Sequence, residues 1–291
     1  MNAGCLLPPR HKAIAEAIER EGNPYGRPRE DRDRSYPPVD PAKKGENAYL
    51  FFGGCTAAYL VPDMIRDSLK ILEAGKVPYT FLGSEEPCCG SVLFRSGHSR
   101  SAEALVYRNM KLFNGRGFSK IITICSGCYR TFKIDYPEIF GETGMNVFHI
   151  SEIISELLCE GRIKLNGSNI DKVTYHDPCH LGIHCGVFDQ PRSVIKEIYG
   201  DSFIEMVRNR KDSRCCGAGG GVKSALPELS VTMADQRLMD AAEIGARTLV
   251  TSCPFCLINL RDAAKQGKRE VRIDDLAGIV AAQITKPAGP S

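Results

Sequence analysis

Ten of the thirteen cysteines in this 291-residue chain form two groups of five with nearly the same spacing. The first set has the pattern Cys-x32-Cys-Cys-x35-Cys-x2-Cys and consists of Cys55, Cys88, Cys89, Cys125 and Cys128. The second set has the pattern Cys-x35-Cys-Cys-x36-Cys-x2-Cys and consists of Cys179, Cys215, Cys216, Cys253 and Cys256. A repeat of thiols this regular indicates a metal or redox site rather than buried free cysteines.

The number of thiols in each set favours iron-sulfur chemistry over zinc. A tetrahedral zinc site takes four ligands in Cys-x2–4-Cys pairs, and two adjacent cysteines cannot easily direct both thiolates at one small ion. Five thiolates favour a polynuclear centre, in which adjacent cysteines could ligate different irons of one extended cluster. A zinc protein without a redox role stays open as an alternative. A thioredoxin-like site at the Cys-x2-Cys pair also stays open, but it leaves three cysteines of each set unexplained.

Glycines follow both Cys-Cys pairs: Gly90 after the first, and Gly217 and residues 219–221 after the second. They let the backbone approach a bound group closely, and backbone N–H groups in such loops can hydrogen-bond cluster sulfides and raise the reduction potential. A flexible glycine-rich turn is the alternative for residues 219–221 taken alone.

Short apolar runs of strand length alternate with segments of helical periodicity from Tyr49 onward, which predicts α/β units with mainly parallel strands. Each cysteine group falls where a strand stops or a loop begins. In open α/β folds this carboxyl edge of the sheet is where ligands bind. Strands are predicted at residues 49–52, 77–82, 120–124, 173–175 and 248–251, and helices at 64–72, 102–112 and 226–244.

Equivalent cysteines are offset by 124, 127 and 128 residues (55 to 179, 88 to 215 and 125 to 253), which indicates an internal duplication. We therefore predict two tandem Rossmann-like domains, over residues 47–165 and 166–291. Residues 1–46 carry a helical pattern over 12–20 followed by charged, proline-rich sequence. They are predicted to form an N-terminal arm or linker, with a disordered tail as the alternative.

The composition argues against several function classes. Apolar residues make up 43% and charged residues 25% of the chain, as in soluble globular folds, and the net charge of +3 includes no basic block for nucleic acid. No apolar stretch is long enough for a membrane helix, and the N-terminus shows no secretory segment. We expect a cytoplasmic protein, in which so many cysteines stay reduced and serve metal or redox chemistry.

The repeated five-cysteine signature resembles the cysteine-rich CCG-domain proteins, typified by the B subunit of heterodisulfide reductase and the C-terminal half of its D subunit. The resemblance covers about residues 47–285. Further similar segments are His176–Gly182, Cys215–Gly221 and Cys253–Cys256, which look closest to the D-subunit and glycolate oxidase iron-sulfur branch. Residues 22–26 are similar to the stretch that in this branch follows a ferredoxin module.

The resemblance implies that each cysteine set holds a noncubane [4Fe-4S] cluster, and that a substrate disulfide sits between two such clusters in the family's reductases. The chain lacks the Cys-x2-Cys-x2-Cys-x3-Cys-Pro run of a ferredoxin module. Electrons are therefore expected from a ferredoxin-like C-type subunit and a flavin A-type subunit.

We predict that the chain is the catalytic iron-sulfur subunit of a heterodisulfide reductase-like complex, an oxidoreductase acting on sulfur groups. It would reduce or form a small disulfide, in the cytoplasm or peripheral to a membrane complex. Cleaving a disulfide takes two electrons, whereas iron-sulfur clusters pass one at a time, so two complete sets favour catalysis. The alternative is a non-catalytic electron-transfer subunit of a 2-hydroxy-acid (glycolate- or lactate-type) dehydrogenase.

Several charged and polar residues near the sets are secondary candidates. His180 and His184, together with His176, could donate a proton to a departing thiolate or ligate metal. Ordinary hydrogen bonding or capping of the loop is the alternative for these histidines. Arg192 and Lys223 could attract an anionic substrate, or they could be solvated surface charges.

Three cysteines stand outside the two sets. Cys159 belongs to the helical pattern of residues 153–158 and is predicted to lie in the core. Cys185 follows Cys179 closely and is the spare thiol with potential reactivity, whereas the pattern assigns no role to Cys5.

Overall fold

The computed structural model describes residues 7–38, 48–167 and 171–284. Helix α1 (Pro9–Glu21) begins with a proline, which fits the first helical turn, and ends at Gly22, whose φ of 68° suits glycine. A 3-10 helix follows over Arg29–Ser35. The remaining residues of the predicted arm, 1–6 with Cys5 and 39–46, lie outside the described residues.

The first half is built on a four-stranded sheet in the order β2-β1-β3-β4, in which every pair is parallel. Its strands are β1 (Tyr49–Phe52), β2 (Tyr79–Thr80), β3 (Lys120–Thr123) and β4 (Asn146–His149). Leu50, Phe51 and Phe52 are all buried, so both faces of β1 are covered, as is usual for a parallel sheet. β2 is shorter than predicted because the chain leaves the sheet after Thr80 and the Phe81 ring stacks on Tyr36.

Helices cover both faces of this sheet. They are α2 (Cys55–Leu60), α3 (Asp63–Ala74), α4 (Ser91–Arg95), α5 (Ser99–Gly115), α6 (Ser126–Arg130), α7 (Tyr136–Phe140) and α8 (Ile150–Cys159). In α3 the buried residues Ile65, Leu69 and Leu72 recur every three or four positions, which is the helical period of an apolar face. A π-helical turn (Thr131–Asp135) joins α6 to α7 without a break.

The second half repeats this arrangement. Its sheet has the order β5-β6-β7, again parallel, with strands β5 (Val173–Tyr175), β6 (Thr248–Thr251) and β7 (Arg272–Asp275). Phe203 forms a parallel bridge with Val173, at the place that β2 takes beside β1. The helices are α9 (Asp189–Tyr199), α10 (Val222–Ala225), α11 (Pro227–Glu243), α12 (Pro254–Gln266) and α13 (Leu276–Gln283). The predicted α/β class and its duplication are therefore confirmed.

The N-terminal segment (residues 7–38) packs against both halves. The Tyr25 hydroxyl and the Thr56 Oγ1 are 2.8 Å apart in the first half, and the His11 ring and the Gly221 carbonyl are 3.0 Å apart in the second. Asn23 is fully buried, and its amide donates to the Glu21 and Arg27 carbonyls while its Oδ1 accepts from the Tyr25 and Arg27 N–H groups. The segment is thus held by specific polar contacts as well as by packing.

We predict that Asn23→Ala lowers the free energy of unfolding by about 1–3 kcal/mol, because it leaves buried backbone groups without partners. Urea denaturation of the reduced protein measures the change. Asn114→Ala, at an exposed position on α5, serves as the control and should be near neutral. Equal midpoints for the two variants would show that the Asn23 contacts do not hold the segment.

Candidate functional site

The first set lies at the carboxyl ends of β1 and β3 and in the loop before α4. Cys55 is the first residue of α2, Cys125 directly precedes α6, and Cys128 lies within α6. Neighbouring thiols are close enough to shift one another's pKa in the order Cys55, Cys88, Cys89, Cys128, Cys125, and all five are buried. The duplicated strand ends therefore bring together five residues that are spread over 74 positions of sequence.

The second set has the same internal order. Its neighbouring thiols influence one another's pKa in the order Cys179, Cys215, Cys216, Cys256, Cys253, and the Sγ atoms of Cys216 and Cys256 are 3.1 Å apart. Cys125 and Cys253 also lie close enough to shift each other's pKa, so the two sets meet at one point. The ten thiols thus form one continuous array made of two equivalent groups.

Glycine is needed where the backbone passes close to the thiols. Gly54 has a φ of 79°, and a Cβ there would lie 3.1 Å from the Cys128 Sγ. Gly217 has a φ of 78°, and a Cβ there would collide with the Ser230 carbonyl oxygen. The N–H groups of Gly90 and Gly217 point at sulfur, at 3.4 Å from the Cys88 Sγ and 3.3 Å from the Cys215 Sγ respectively. The glycines therefore supply both close approach and N–H donors.

A cavity of about 310 Å³ opens between the two halves and the N-terminal segment. Every member of the second set lines it, whereas the first set is represented only by neighbouring residues such as Ser91, Ser126 and Gly127. Its apolar wall is formed by Ile14, Pro24, Leu60, Val92, Phe255 and Ile258. The second set thus faces the cavity, and the first set lies deeper in the protein.

The cations that line the cavity already have partners. Lys223 donates to Asn259 and Asp262, at 2.7 and 2.6 Å, and Arg95 forms an ion pair with Asp135 at 2.6 Å. Arg192 lies elsewhere: it is buried and bonded to Asp177 and Glu205. Arg192 is therefore neither a solvated surface charge nor available to an anionic substrate, because its donors already hold two carboxylates.

A buried charge network adjoins the first set. The Arg32 Nη2 lies 3.4 Å from the Cys55 Sγ, and the Arg32 guanidinium forms an ion pair with Glu86. The Glu86 carboxylate also accepts hydrogen bonds from the Gly53 and Gly54 N–H groups and from the Tyr36 hydroxyl. Burial raises the pKa of Glu86, and the nearby Arg32 opposes that shift.

His176 presents a buried donor to the second set. Its Nδ1 accepts a hydrogen bond from the Arg237 Nε at 3.2 Å, which places the ring proton on Nε2 because arginine is only a donor. Burial, with a further contribution from Arg237, lowers the pKa of His176 to about 4, so the ring is neutral. Nε2 has no hydrogen-bond partner among the described residues, and a ring nitrogen lies within 4.8 Å of the Cys216 and Cys256 sulfurs.

The donor set fits iron-sulfur clusters. The ten cysteines are free thiols and not disulfides, the N–H groups of Gly90 and Gly217 point toward sulfur, and a ring nitrogen of His176 lies within 4.8 Å of the Cys216 and Cys256 sulfurs. Thiolates with N–H donors around them are the surroundings that these clusters take in proteins. The identity of all ten cysteines as ligands stays a prediction.

The candidates His180, His184 and Cys185 lie close to the site. His180 lines the cavity and its ring contacts that of His184, with 5.4 Å between centroids. Turns, not a regular helix, bring these two rings together. Burial lowers the pKa of His180. The roles of His180 and His184 stay predictions, and Cys185 is partly buried beside Tyr129.

The prediction that Cys159 lies in the core was wrong. Cys159 is exposed at the end of α8, because the apolar face of this helix is carried by Ile153, Ile154 and Leu157. Sequence reasoning also missed Arg32, Glu86 and Arg237. Arg32 lies 23 positions from Cys55, and Glu86, although close to Cys88 in sequence, acts through Arg32 and the Gly53 and Gly54 N–H groups. Only the similarity of residues 22–26 to a family stretch pointed toward the N-terminal segment.

Comparison with known proteins agrees with this geometry. The sequence profile of the cysteine-rich domain (CCG) family matches residues 49–133 and 173–261. The D subunit of the dihydromethanophenazine:CoB--CoM heterodisulfide reductase of Methanosarcina barkeri is 37% identical over 94% of this chain and 67% of its own length. The B subunit of the fumarate reductase (CoM/CoB) of Methanothermobacter marburgensis is 36% identical, over 77% of this chain and 44% of its own length.

A third relative is the EtfAB:quinone oxidoreductase of Syntrophomonas wolfei, which is 34% identical over 81% of this chain and 34% of its own length. The chain belongs to the cysteine-rich CCG-domain family, in its heterodisulfide reductase branch. The resemblance is therefore confirmed, and the chain is classed among iron-sulfur oxidoreductase proteins. It spans about two thirds of the length of the D subunits that it matches.

The short contact between Cys216 and Cys256 yields a test that needs no metal. We predict that mild oxidation of the metal-free chain joins Cys216 to Cys256, because their Sγ atoms are already 3.1 Å apart. Peptide mapping by mass spectrometry identifies the bond, with the exposed Cys159 as the control that stays unpaired within the chain. A bond from Cys216 to any first-set cysteine would contradict the observed grouping.

Proposed function

We propose that each five-cysteine set binds one noncubane [4Fe-4S] cluster and that the chain uses the pair to reduce or form a small disulfide in the cavity. The observation that carries this proposal is the array itself: two equivalent groups of five thiols, in the same internal order, meet beside a cavity that the second set lines. When bound, such clusters supply electrons one at a time.

The reaction balances as one disulfide plus two electrons and two protons giving two thiols, and it can run in reverse. The mostly apolar wall of the cavity suits an uncharged disulfide bond. Ile14 and Pro24 extend this wall from the N-terminal segment. The N-terminal segment therefore forms part of the cavity wall.

Protons must reach the departing sulfur, and we propose that His180 supplies one. Its ring lines the cavity and contacts His184, so a proton lost by His180 could be replaced through the second ring. Hydrogen bonding of the loop remains the alternative role for both histidines. No proton transfer is assigned to His176, which is buried and bonded to Arg237.

The electrons are proposed to come from partner subunits. The curated relatives are subunits of larger oxidoreductase complexes or longer proteins that the chain matches only in part. A ferredoxin-like C-type subunit and a flavin A-type subunit are the proposed donors, and a cytoplasmic location, or one peripheral to a membrane complex, is proposed with them. None of the described helices is long and apolar enough to cross a bilayer.

A second candidate function is electron transfer without catalysis, as in a 2-hydroxy-acid dehydrogenase complex. The contact between Cys125 and Cys253 favours this candidate, because it joins the two sets into one path along which an electron could pass. The cavity favours the first candidate, since a relay has no need of a space at its second set. Substrate dependence distinguishes the two.

We predict about eight irons and eight sulfides per chain in the anaerobically purified protein, as two four-iron clusters require. Cys88→Ala and Cys215→Ala should each remove about half of the iron, because each breaks a different set. The exposed Cys159→Ala variant is the control and should keep the full content. Zinc in place of iron, or loss of all iron in either variant, would contradict two independent iron sites.

Electron paramagnetic resonance (EPR) of the oxidised protein with candidate thiols tests catalysis. We expect a thiol-dependent paramagnetic signal that at least one of Cys88→Ala and Cys215→Ala abolishes, because the substrate sulfur contacts a cluster. A protein that holds both clusters but shows no thiol-dependent signal and no reduction of any disulfide favours the relay.

A further inference from the structure

We propose that the buried Arg32–Glu86 pair acts on the first set alone, so that the first-set cluster has a higher reduction potential than the second-set cluster. This inference rests on the proposed function, because it concerns the clusters that the two sets would hold. Arg32 lies outside the cysteine pattern, and we assign it as a positioning residue for electron transfer.

The contact between Arg32 and sulfur is direct. The Arg32 side chain is 2% exposed, and its Nη2 lies 3.4 Å from the Cys55 Sγ. A guanidinium stays charged in proteins, so this nitrogen donates an N–H to sulfur at any working pH. Donation to a cluster thiolate stabilises the reduced, more negative state and raises the potential.

Glu86 holds the guanidinium in this orientation. Its carboxylate forms the ion pair with Arg32 and accepts hydrogen bonds of 3.0 and 2.9 Å from the Gly53 and Gly54 N–H groups, directly before Cys55. The Tyr36 hydroxyl donates to the same carboxylate at 2.9 Å. Glu86 is thus the remote, negative end of the pair, and Arg32 is the positive end that touches sulfur. A dipole with this orientation favours added negative charge at the first set.

Among the described residues, no equivalent of this pair contacts Cys179. Arg32 precedes the duplicated part of the chain, and the position of Glu86 corresponds to Ser213 at the offset of 127 (86 to 213). The position of Gly54 corresponds to Pro178, which has no N–H to donate (54 to 178). In the hydrogen bonds of residues 7–38, 48–167 and 171–284, no arginine or lysine donates to the Cys179 Sγ.

What the second set receives is a neutral donor. His176, which stands where the first half has Phe52 (52 to 176), has a ring nitrogen within 4.8 Å of the Cys216 and Cys256 sulfurs, and its Nδ1 accepts from Arg237, so the ring is uncharged. A neutral donor stabilises added charge less than a guanidinium does. The more strongly reducing site is therefore the one that faces the cavity, where a disulfide would accept electrons.

The test is an EPR-monitored redox titration of the anaerobic protein and of Arg32→Gln. We expect one of the two cluster potentials to fall by at least 59 mV, which is ten-fold in a one-electron reduction constant, while the other stays unchanged. In the Cys215→Ala background the surviving cluster should be the one that shifts. Arg32→Lys keeps the charge without the planar fork, so it should shift the potential less than Arg32→Gln does.

Two further variants keep the test decisive if Arg32→Gln fails to fold or to load iron. Glu86→Gln removes the negative end and should raise the same potential, which is the opposite sign. Arg32→Gln/Glu86→Gln leaves no buried charge unpaired and should still lower the potential, because the N–H donor on Cys55 is lost. Arg27→Gln is the matched control, since Arg27 belongs to the same segment but donates to the Tyr59 carbonyl and not to sulfur.

The outcomes separate this inference from the proposed function. A wild-type chain that binds no iron overturns both. Iron-loaded Arg32 and Glu86 variants whose two potentials match those of Arg27→Gln overturn the inference and leave the proposed function standing. An equal shift of both clusters also overturns it, because the pair would then act through the whole fold.

Discussion

Ten thiols gathered in a small volume, eight of them buried, set the main physical constraint on this protein. As thiolates they repel one another and cannot stay buried without positive charge close by, and as free thiols they gain little from being together. The fold positions the thiols at the ends of strands, where the backbone is fixed at one edge of a sheet. Duplication of the unit then supplies a second group in the same internal order.

The two halves share a skeleton but differ in what surrounds the sulfur. The first set is enclosed by the N-terminal segment and receives the Arg32 guanidinium, whereas the second set receives the neutral ring of His176 and lines the cavity. Such a difference cannot come from the repeated residues themselves. It comes from a segment outside the repeat and from one exchange within it, Phe52 against His176.

The sequence was informative where the signal is local or periodic. Cysteine spacing, strand-length apolar runs and glycines next to Cys-Cys pairs predicted the α/β class, the duplication and the edge at which the thiols gather. Cys159 was misjudged because its position around the helix decides whether it faces the core or solvent. Arg192 was misjudged because carboxylates distant in sequence hold it in the interior. Arg32 was missed because its partners, Cys55 and Glu86, lie 23 and 54 positions away and no pattern links them.

The proposed chemistry requires two separate iron clusters, one in each set. Anomalous scattering at the iron edge, measured on crystals grown without oxygen, locates the iron atoms. We expect two groups of iron peaks, one among the five sulfurs of each set, with none elsewhere on the chain. A single group, peaks that respond only at the zinc edge, or sulfur-sulfur bonds within the sets would contradict this proposal.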